Sequence, residues 1–463
     1  MHIPIQKVTI MGLGRLGGSL AAISYFLKRG IAVHVTDQKS EKELQESLDQ
    51  FIGREGITFH FGGHEKEDFI GSDVVICSPA VPQDSQWVKY AQQHVPVYND
   101  LSFFLKEYGD RITPYIAVTG TRGKTTTAQW IAHILGSCLY GGNMPQRGFF
   151  WLAEKIEERE HDPLVVETSS FQLEYMDEAL PAPHVAVITN LFVDHMNRHK
   201  TMEVYGSIKA RIALYQSKTD HVIFNIDDPG YSFFKTRSFP SQQWFISLSL
   251  LPKGKKGLHL DKGTVRFRDE KGEYRIGMMP SGMGRHMNSN LLASLLASYL
   301  FRGSWEGLFE RIATLPSIPL RQEKIVENEK YLIVNDGAAT SPDAVIAAIE
   351  QFYTPGTAFI IGGTDKGLDM SGLASVLGER VSPDDVFFLE GSGTEKLLGN
   401  LSSYEAYKGK DTYQSLEDII TAIFQKEYRR IVFSPGGSSF EKFQNEFHRG
   451  EIFSNLIRKQ IDV

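Results

Sequence analysis

The chain predicts an α/β protein of three successive units, each a mostly parallel sheet covered by helices. Strand-like and helix-like patterns alternate along most of the sequence, the arrangement that places helices on the faces of parallel sheets. At 463 residues the chain also exceeds one ordinary core, so two to three domains are expected. A glycine-rich loop between a strand pattern and a helix pattern, at residues 120–127, marks a phosphate-binding unit among them.

In chain order, Lys7–Met11 and residues 31–37 read as strands around a helix near 16–28, and 73–78 as a third strand stopped by Ser78-Pro79. Tyr115–Thr119 opens a second sheet that continues through Leu164–Glu167, 185–190 and 222–225. Between 247 and 280, Gly and Lys loops separate short alternating stretches, which read as β-hairpins inserted before a helix at 290–301. Pro316 and Pro319 mark a linker, beyond which 331–335, 358–362, Val386–Leu389 and 430–434 alternate with helices. The helix after Ser341-Pro342-Asp343 carries an N-cap serine and a first-turn proline.

Bulk chemistry narrows the partners. The balance of 49 basic and 56 acidic residues gives a net charge of −7, which argues against nucleic acid or an anionic membrane as a main partner. Two cysteines, Cys77 and Cys138, make neither a disulfide framework nor a zinc spacing. No signal-peptide pattern opens the sequence, and no apolar run of about 18 residues is available for membrane insertion. A cytoplasmic location is expected.

In Gly120-Thr121-Arg122-Gly123-Lys124-Thr125-Thr126-Thr127, glycines let backbone N–H groups face an anion at a helix N-terminus. Lys124 adds a point charge, and the Thr125 hydroxyl suits Mg²⁺. Earlier, Gly12-Leu13-Gly14-Arg15-Leu16-Gly17 follows the first strand and Asp37 ends the second. That spacing suits a nicotinamide dinucleotide, hence an NAD-dependent dehydrogenase, or a nucleotide-linked substrate. The second is favoured, because redox proteins rarely carry a phosphate loop a hundred residues later. Glu167, at a strand end in the phosphate-loop sheet, is placed as a Mg²⁺ ligand or is a solvated acid. Asp194-His195 follows another strand and can orient an imidazole or bind a metal. Lys209 lies mid-helix, where a lysine is ordinarily solvated.

Together, Gly120 to Thr127, Tyr140-Gly141-Gly142-Asn143 as a turn, Glu167-Thr168-Ser169-Ser170-Phe171-Gln172-Leu173, Asn190 through His195 and Lys209-Ala210-Arg211 resemble the Mur ligase family in order and spacing. Asn335-Asp336, residues 362–369, and Ser434-Pro435 through Phe443 with Arg449-Gly450 resemble its D-glutamate-adding members. The resemblance implies a Rossmann-like UDP-substrate domain (1–110), a central P-loop ATPase-like domain (111–316) and a Rossmann-like C-terminal amino-acid domain (317–463). It implies ATP-dependent ligation of D-glutamate to UDP-N-acetylmuramoyl-L-alanine through an acyl phosphate. Another Mur-type or a folylpolyglutamate-type ligase is the alternative, and a monomer is expected.

For the residues, the resemblance implies ATP binding by Gly120, Thr121, Arg122, Gly123, Lys124, Thr125 and Thr126, with Arg321 and Asp336 joining from the third domain. Two Mg²⁺ ions would be held by Thr125, Glu167, His195 and Lys209, the lysine as a carbamate. The catalytic set is then Lys124, Glu167, His195 and Lys209. Gly14, Asp37 and Ser78 would contact the UDP portion, and Asn143, Ser169 and Gln172 the muramoyl-alanine portion. Thr340, Lys366 and Ser439 would receive the D-glutamate carboxylates. Arg122 stands where the family usually has Asn.

Overall fold

The computed structural model describes residues 5–14, 18–158 and 163–461, so Arg15, Leu16 and Gly17 of the first glycine loop lie outside the described residues. Two compact units emerge, one of Met1–Pro280 with Met287–Leu315, the other of Ser281–His286 with Pro316–Val463.

The first unit holds two sheets. β1 (Lys7–Met11), β2 (Ala32–Asp37), β3 (Ile57–Phe61), β4 (Val74–Cys77) and β5 (Val97–Asn99) form a parallel sheet of order β3-β2-β1-β4-β5. β3 and β5 are additions to the sequence expectation. β3 is a half-exposed edge strand with no continuous apolar run, and β5 has only three residues. The second sheet contains β6 (Tyr115–Thr119), β7 (Leu139–Gly142), β8 (Leu164–Glu167), β9 (Val185–Ile188), β10 (His221–Asn225), β11 (Gln242–Ser247), β12 (Gly257–Asp261), β13 (Thr264–Arg268) and β14 (Glu273–Met278). Their order is β14-β13-β12-β11-β10-β9-β6-β8-β7, parallel from β7 to β12 and antiparallel from β12 to β14.

β6, β8 and β9 are buried throughout, which is why they read as continuous apolar runs. The expected turn at 140–143 is instead mostly strand β7. Its glycines are there for closeness, since a Cβ on Gly142 would fall 2.2 Å from the Glu167 carbonyl oxygen. β6 is flanked by β8 on one side and β9 on the other, so the chain reverses its winding at the end of β6, the crevice where open α/β sheets take ligands.

A shared core joins the two sheets of this unit. Tyr25, Phe26, Phe103 and Phe150 meet edge to face or stacked. The Tyr25 and Tyr108 hydroxyls are hydrogen-bonded at 2.6 Å, and Tyr108 donates to Glu157 at 2.6 Å.

The second unit is a six-stranded sheet of β15 (Glu323–Glu327), β16 (Leu332–Asn335), β17 (Thr357–Ile361), β18 (Val386–Leu389), β19 (Thr412–Tyr413) and β20 (Arg430–Phe433). The order is β15-β16-β20-β17-β18-β19, and only β15 runs antiparallel. Separate apolar clusters line its two faces, Val334, Phe359 and Phe388 in one, Ile333, Ile360 and Phe433 in the other.

Candidate active site

The phosphate loop connects β6 to the helix Lys124–Leu135. Gly123 sits at the helix N-cap with φ 79°, and a Cβ there would lie 2.4 Å from Asn290 Oδ1. A Cβ on Gly120 would lie 1.9 Å from Thr189 Oγ1. Both glycines are therefore required by close approach as well as by backbone freedom. The Lys124 ammonium folds back onto the loop and donates to the Thr121 carbonyl at 3.2 Å. Thr121 and Thr126 are buried, whereas Arg122, Lys124 and Thr125 are partly exposed.

Around this loop the first unit gathers Glu167, Asn143, Asp194, His195 and Lys209. Glu167 ends β8 at 2% exposure, and its Oε1 accepts from Asn143 Nδ2 at 3.1 Å. Glu167 Oε2 is buried with no hydrogen-bond partner among the described residues. A buried carboxylate oxygen left without a donor is costly, and a cation supplies what it lacks. His195 has φ 57°, and its ring lies 4.9 Å from the Phe171 ring and 6.2 Å from the Tyr205 ring. Its backbone N–H donates to Asp194 Oδ1 at 2.9 Å.

Lys209 is 1% exposed, so the solvated reading of its mid-helix position is set aside. Its Nζ donates to the Gly120 carbonyl at 2.8 Å and lies 4.7 Å from the Tyr205 ring centroid. Burial, then the charges of Lys124 and Arg122 against those of Asp194 and Glu167, holds this amine well below the ordinary lysine range. Among the described residues no group of three or more His, Cys, Asp or Glu side chains is arranged to hold a metal. A Mg²⁺ at Glu167 would therefore draw its remaining ligands from hydroxyls and from a bound nucleotide. The orphaned Oε2 fits that donor set.

Several expected substrate contacts are also engaged by the chain itself. Gln172 is 2% exposed, accepts from the Ser169 N–H and hydroxyl at 2.9 and 3.0 Å, and donates to Asp100 at 2.9 Å. It thereby fixes Ser169, its partner in a capping box. Both Asp37 oxygens accept backbone N–H groups, from Leu13 at 2.7 Å and Lys39 at 2.9 Å. Gly14 has φ 63°, and the Ser78 N–H is spent on the Met11 carbonyl at 2.8 Å.

In the second unit, Thr340, Lys366 and Ser439 lie on loops that backbone hydrogen bonds tie together. Thr364 and Ser438 exchange bonds at 2.9 and 3.1 Å, and the Gly436 N–H donates to Ala339 at 2.9 Å. Lys366 is exposed, Thr340 half-buried and Ser439 buried. Arg321 lies between Leu320 and Gln322, two non-glycine residues with φ 61° and 50°. Asp336 is buried and accepts from the Gln322 N–H at 3.1 Å and the Ser434 hydroxyl at 2.9 Å.

Burial raises the Asp336 carboxyl to about 7, against the donors that favour its ionised form. Because the folded-state value is raised, the protonated form stabilises the fold. That contribution is lost as pH climbs from the ordinary carboxylate range through about 7, at up to about 1.4 kcal/mol per pKa unit. Asp336→Asn keeps an acceptor for Gln322 and offers an amide donor to the Ser434 oxygen. Its melting temperature is expected to exceed wild type by several degrees at pH 8 and by less at pH 5. Equal melting at both values would contradict this.

Sequence reasoning assigned no role to three residues that hold loops in place within their own units. Arg449 is fully buried, donates to the Gly437, Ser438 and Gly337 carbonyls at 3.0, 3.2 and 3.0 Å, and so holds two loops of the second unit. Arg198 clamps Glu174 with two hydrogen bonds, at 3.0 and 2.7 Å, and donates to the Ala80 and Val81 carbonyls at 2.8 and 2.9 Å. Asn290 packs on Gly123. Asn290 and Arg198 lie on helices with nothing in the pattern to separate them from surface residues. Arg449 sat in a quoted motif without a chemical argument.

Residues 118–298 match the Mur ligase middle domain model and residues 6–98 the Mur ligase MurD-like N-terminal domain model. The UDP-N-acetylmuramoylalanine--D-glutamate ligase of Koribacter versatilis (strain Ellin345) is 30% identical over 473 residues, covering 100% of this chain and 99% of the relative. The ligase of the same name from Thermoanaerobacter pseudethanolicus (strain ATCC 33223 / 39E) is 30% identical over 468 residues, covering 99% of each. Among solved structures, the UDP-N-acetylmuramate-alanine ligase MurC of Thermotoga maritima aligns over 98% of this chain and 99% of its own, with TM-score 0.58 and 21% identity. The MurF ligase of Thermotoga maritima in complex with ADP aligns over 93% and 96%, with TM-score 0.58 and 17% identity. These two likenesses bear on the fold.

Proposed function

This chain belongs to the Mur ligase family of ATP-dependent amide ligases of peptidoglycan-precursor synthesis, and we propose that it joins D-glutamate to UDP-N-acetylmuramoyl-L-alanine. The observation that carries the reading is the buried group at the end of β6. An orphaned carboxylate oxygen on Glu167 and a buried, deprotonation-prone amine on Lys209 flank a phosphate loop. The names of the full-length relatives support the choice of substrates.

Making an amide in water requires an activated carboxylate. The alanyl carboxylate attacks the γ-phosphorus of ATP and ADP leaves. The D-glutamate amine then displaces phosphate from the acyl phosphate. Two anions meet in the first step, and Lys124, with the N–H groups that open its helix, offsets their repulsion. Glu167 and Thr125 would hold one Mg²⁺, which when bound shields the phosphoryl oxygens, and His195 would serve a second. Asn143 keeps Glu167 aimed. A neutral Lys209 amine has the lone pair needed to add to CO₂. The new N–C bond forms as one C–O π bond of CO₂ opens onto oxygen, the amine proton passes to water, and the product is a carbamate anion suited to the second Mg²⁺.

In this reading Gly14, Asp37 and Ser78 shape the UDP end, Asn143 and Ser169 meet the muramoyl-alanine portion, and Gln172 keeps Ser169 in place. Arg321 and Asp336 serve ATP, and Thr340, Lys366 and Ser439 receive D-glutamate. Residues 1–110, 111–316 and 317–463 are the three working domains of a cytoplasmic monomer. No helix among the described residues is long and apolar enough to cross a membrane.

The test is phosphate release from ATP with Mg²⁺, UDP-N-acetylmuramoyl-L-alanine and each candidate amino acid. Release with D-glutamate alone is expected. Release with L-lysine or meso-diaminopimelate instead would move the protein to a sister ligase, and nicotinamide binding without ATP turnover would overturn the reading.

A further inference from the structure

Arg122 stands in the phosphate loop where the family usually has Asn, and its side chain is engaged by the loop that carries His195. Its guanidinium Nη1 donates to Asp194 Oδ2 at 2.7 Å, with the arginine side chain 25% exposed and the aspartate 4%. The other Asp194 oxygen is the acceptor for the His195 backbone N–H at 2.9 Å. One carboxylate therefore links the third residue of the phosphate loop to the residue whose φ of 57° aims the imidazole.

Other bonds between these two loops run through backbone and uncharged groups. Asn190 Oδ1 accepts from the Thr121 and Arg122 N–H groups at 3.1 and 2.8 Å. The Arg122 carbonyl accepts from Thr189 Oγ1 at 2.6 Å and Asn190 Nδ2 at 3.1 Å, and Thr121 Oγ1 accepts from the Phe192 N–H at 3.0 Å. These bonds fix residues 189–192. The Arg122–Asp194 pair extends the same stitching to residue 194, beside His195. A carboxylate buried this deeply needs a paired cation, and a charged hydrogen bond at 2.7 Å supplies one with direction.

We propose that Arg122 is a positioning residue that acts through Asp194 to set His195 for Mg²⁺, rather than a ligand of the nucleotide phosphates. This rests on the reading of His195 as a metal ligand given above. Groups that orient a metal ligand from outside its coordination shell typically change metal affinity about 10- to 100-fold. The pair also makes the metal-side loop and the phosphate loop one rigid piece, so the imidazole is aimed before nucleotide arrives.

The experiment compares wild type, Arg122→Gln, Asp194→Asn and the double variant. ADP affinity is measured by calorimetry with and without Mg²⁺, and the Mg²⁺ concentration giving half of the ADP-dependent rise in melting temperature is read alongside. Each single variant is expected to raise that concentration about tenfold, the double no further than the worse single, with metal-free ADP affinity within about twofold of wild type. Arg122→Lys, which keeps a cation for Asp194, is expected to recover part of the loss and serves if Arg122→Gln does not fold. The proposal is overturned if Mg²⁺ dependence is unchanged, or if the two substitutions multiply. It is also overturned if metal-free ADP affinity falls about tenfold in Arg122→Gln but not in Asp194→Asn, the mark of a direct phosphate contact. Wild-type protein without any Mg²⁺-dependent ADP shift would sink the parent reading instead.

Discussion

Lys209→Ala is expected to lower phosphate release at saturating substrates by about 10³-fold, the scale of losing a preorganised charge at a phosphoryl-transfer site. The lysine is enclosed at 1% exposure beneath the phosphate loop, bonded to the Gly120 carbonyl at 2.8 Å. Its pKa is driven down first by burial and then by Lys124, so a permanent ammonium is disfavoured there. A neutral amine in that position can accept CO₂ and present a carboxylate toward the site. Alanine has no such nitrogen, so excess bicarbonate should not restore turnover. Short carboxylic acids that fit the vacated space should restore part of it. Lys209→Met separates chemistry from packing. It fills the space, removes a buried amine whose charged form is penalised, and should melt within a few degrees of wild type while remaining inactive. Near-normal turnover in either variant would return Lys209 to a purely structural role.

How far the site could be read from sequence depended on whether local pattern carried the constraint. β6 and the loop after it were legible because a fully buried parallel strand writes a continuous apolar run and the phosphate turn demands glycine at fixed offsets. Glu167 was legible as an acid closing such a strand. Lys209 was not readable from phase alone. The helix Met202–Leu214 buries Tyr205, Gly206, Ile208, Lys209, Ala210, Ile212 and Ala213, so its inner face is too wide for periodicity to place one lysine. Gln172 shows a different difficulty, since beyond its local bond to Ser169 it is tied to Asp100, far off in the chain, and no local pattern announces that bond. In the second unit, Gly337, Gly437 and Arg449 meet only because parallel strands bring their carboxyl ends together, and no local pattern spans that distance. The edge strand β3 and the three-residue β5 carry too little periodicity to be seen.

Glu167→Gln should divide activity from stability most sharply. The substitution is nearly isosteric. Its oxygen can still accept from Asn143 Nδ2, the bond that Glu167 Oε1 makes at 3.1 Å. What changes is the second position, where an oxygen buried without a partner becomes an amide nitrogen with no charge to offer a cation. Replacing a buried carboxylate that has one unpartnered oxygen by a neutral amide relieves a desolvation cost, so the variant is expected to melt at or above the wild-type temperature without ligand. With ATP and Mg²⁺ the order should reverse. Wild type gains stability by binding, whereas Glu167→Gln gains less, and its turnover falls by about 10²- to 10³-fold. Raising Mg²⁺ should recover only a small part, because the charge is missing rather than misplaced. Asn143→Ala supplies the contrast: the carboxylate stays but loses its donor, so a smaller loss, about tenfold, should respond to added Mg²⁺. Equal losses in the two variants, or wild-type turnover in Glu167→Gln, would place the metal elsewhere.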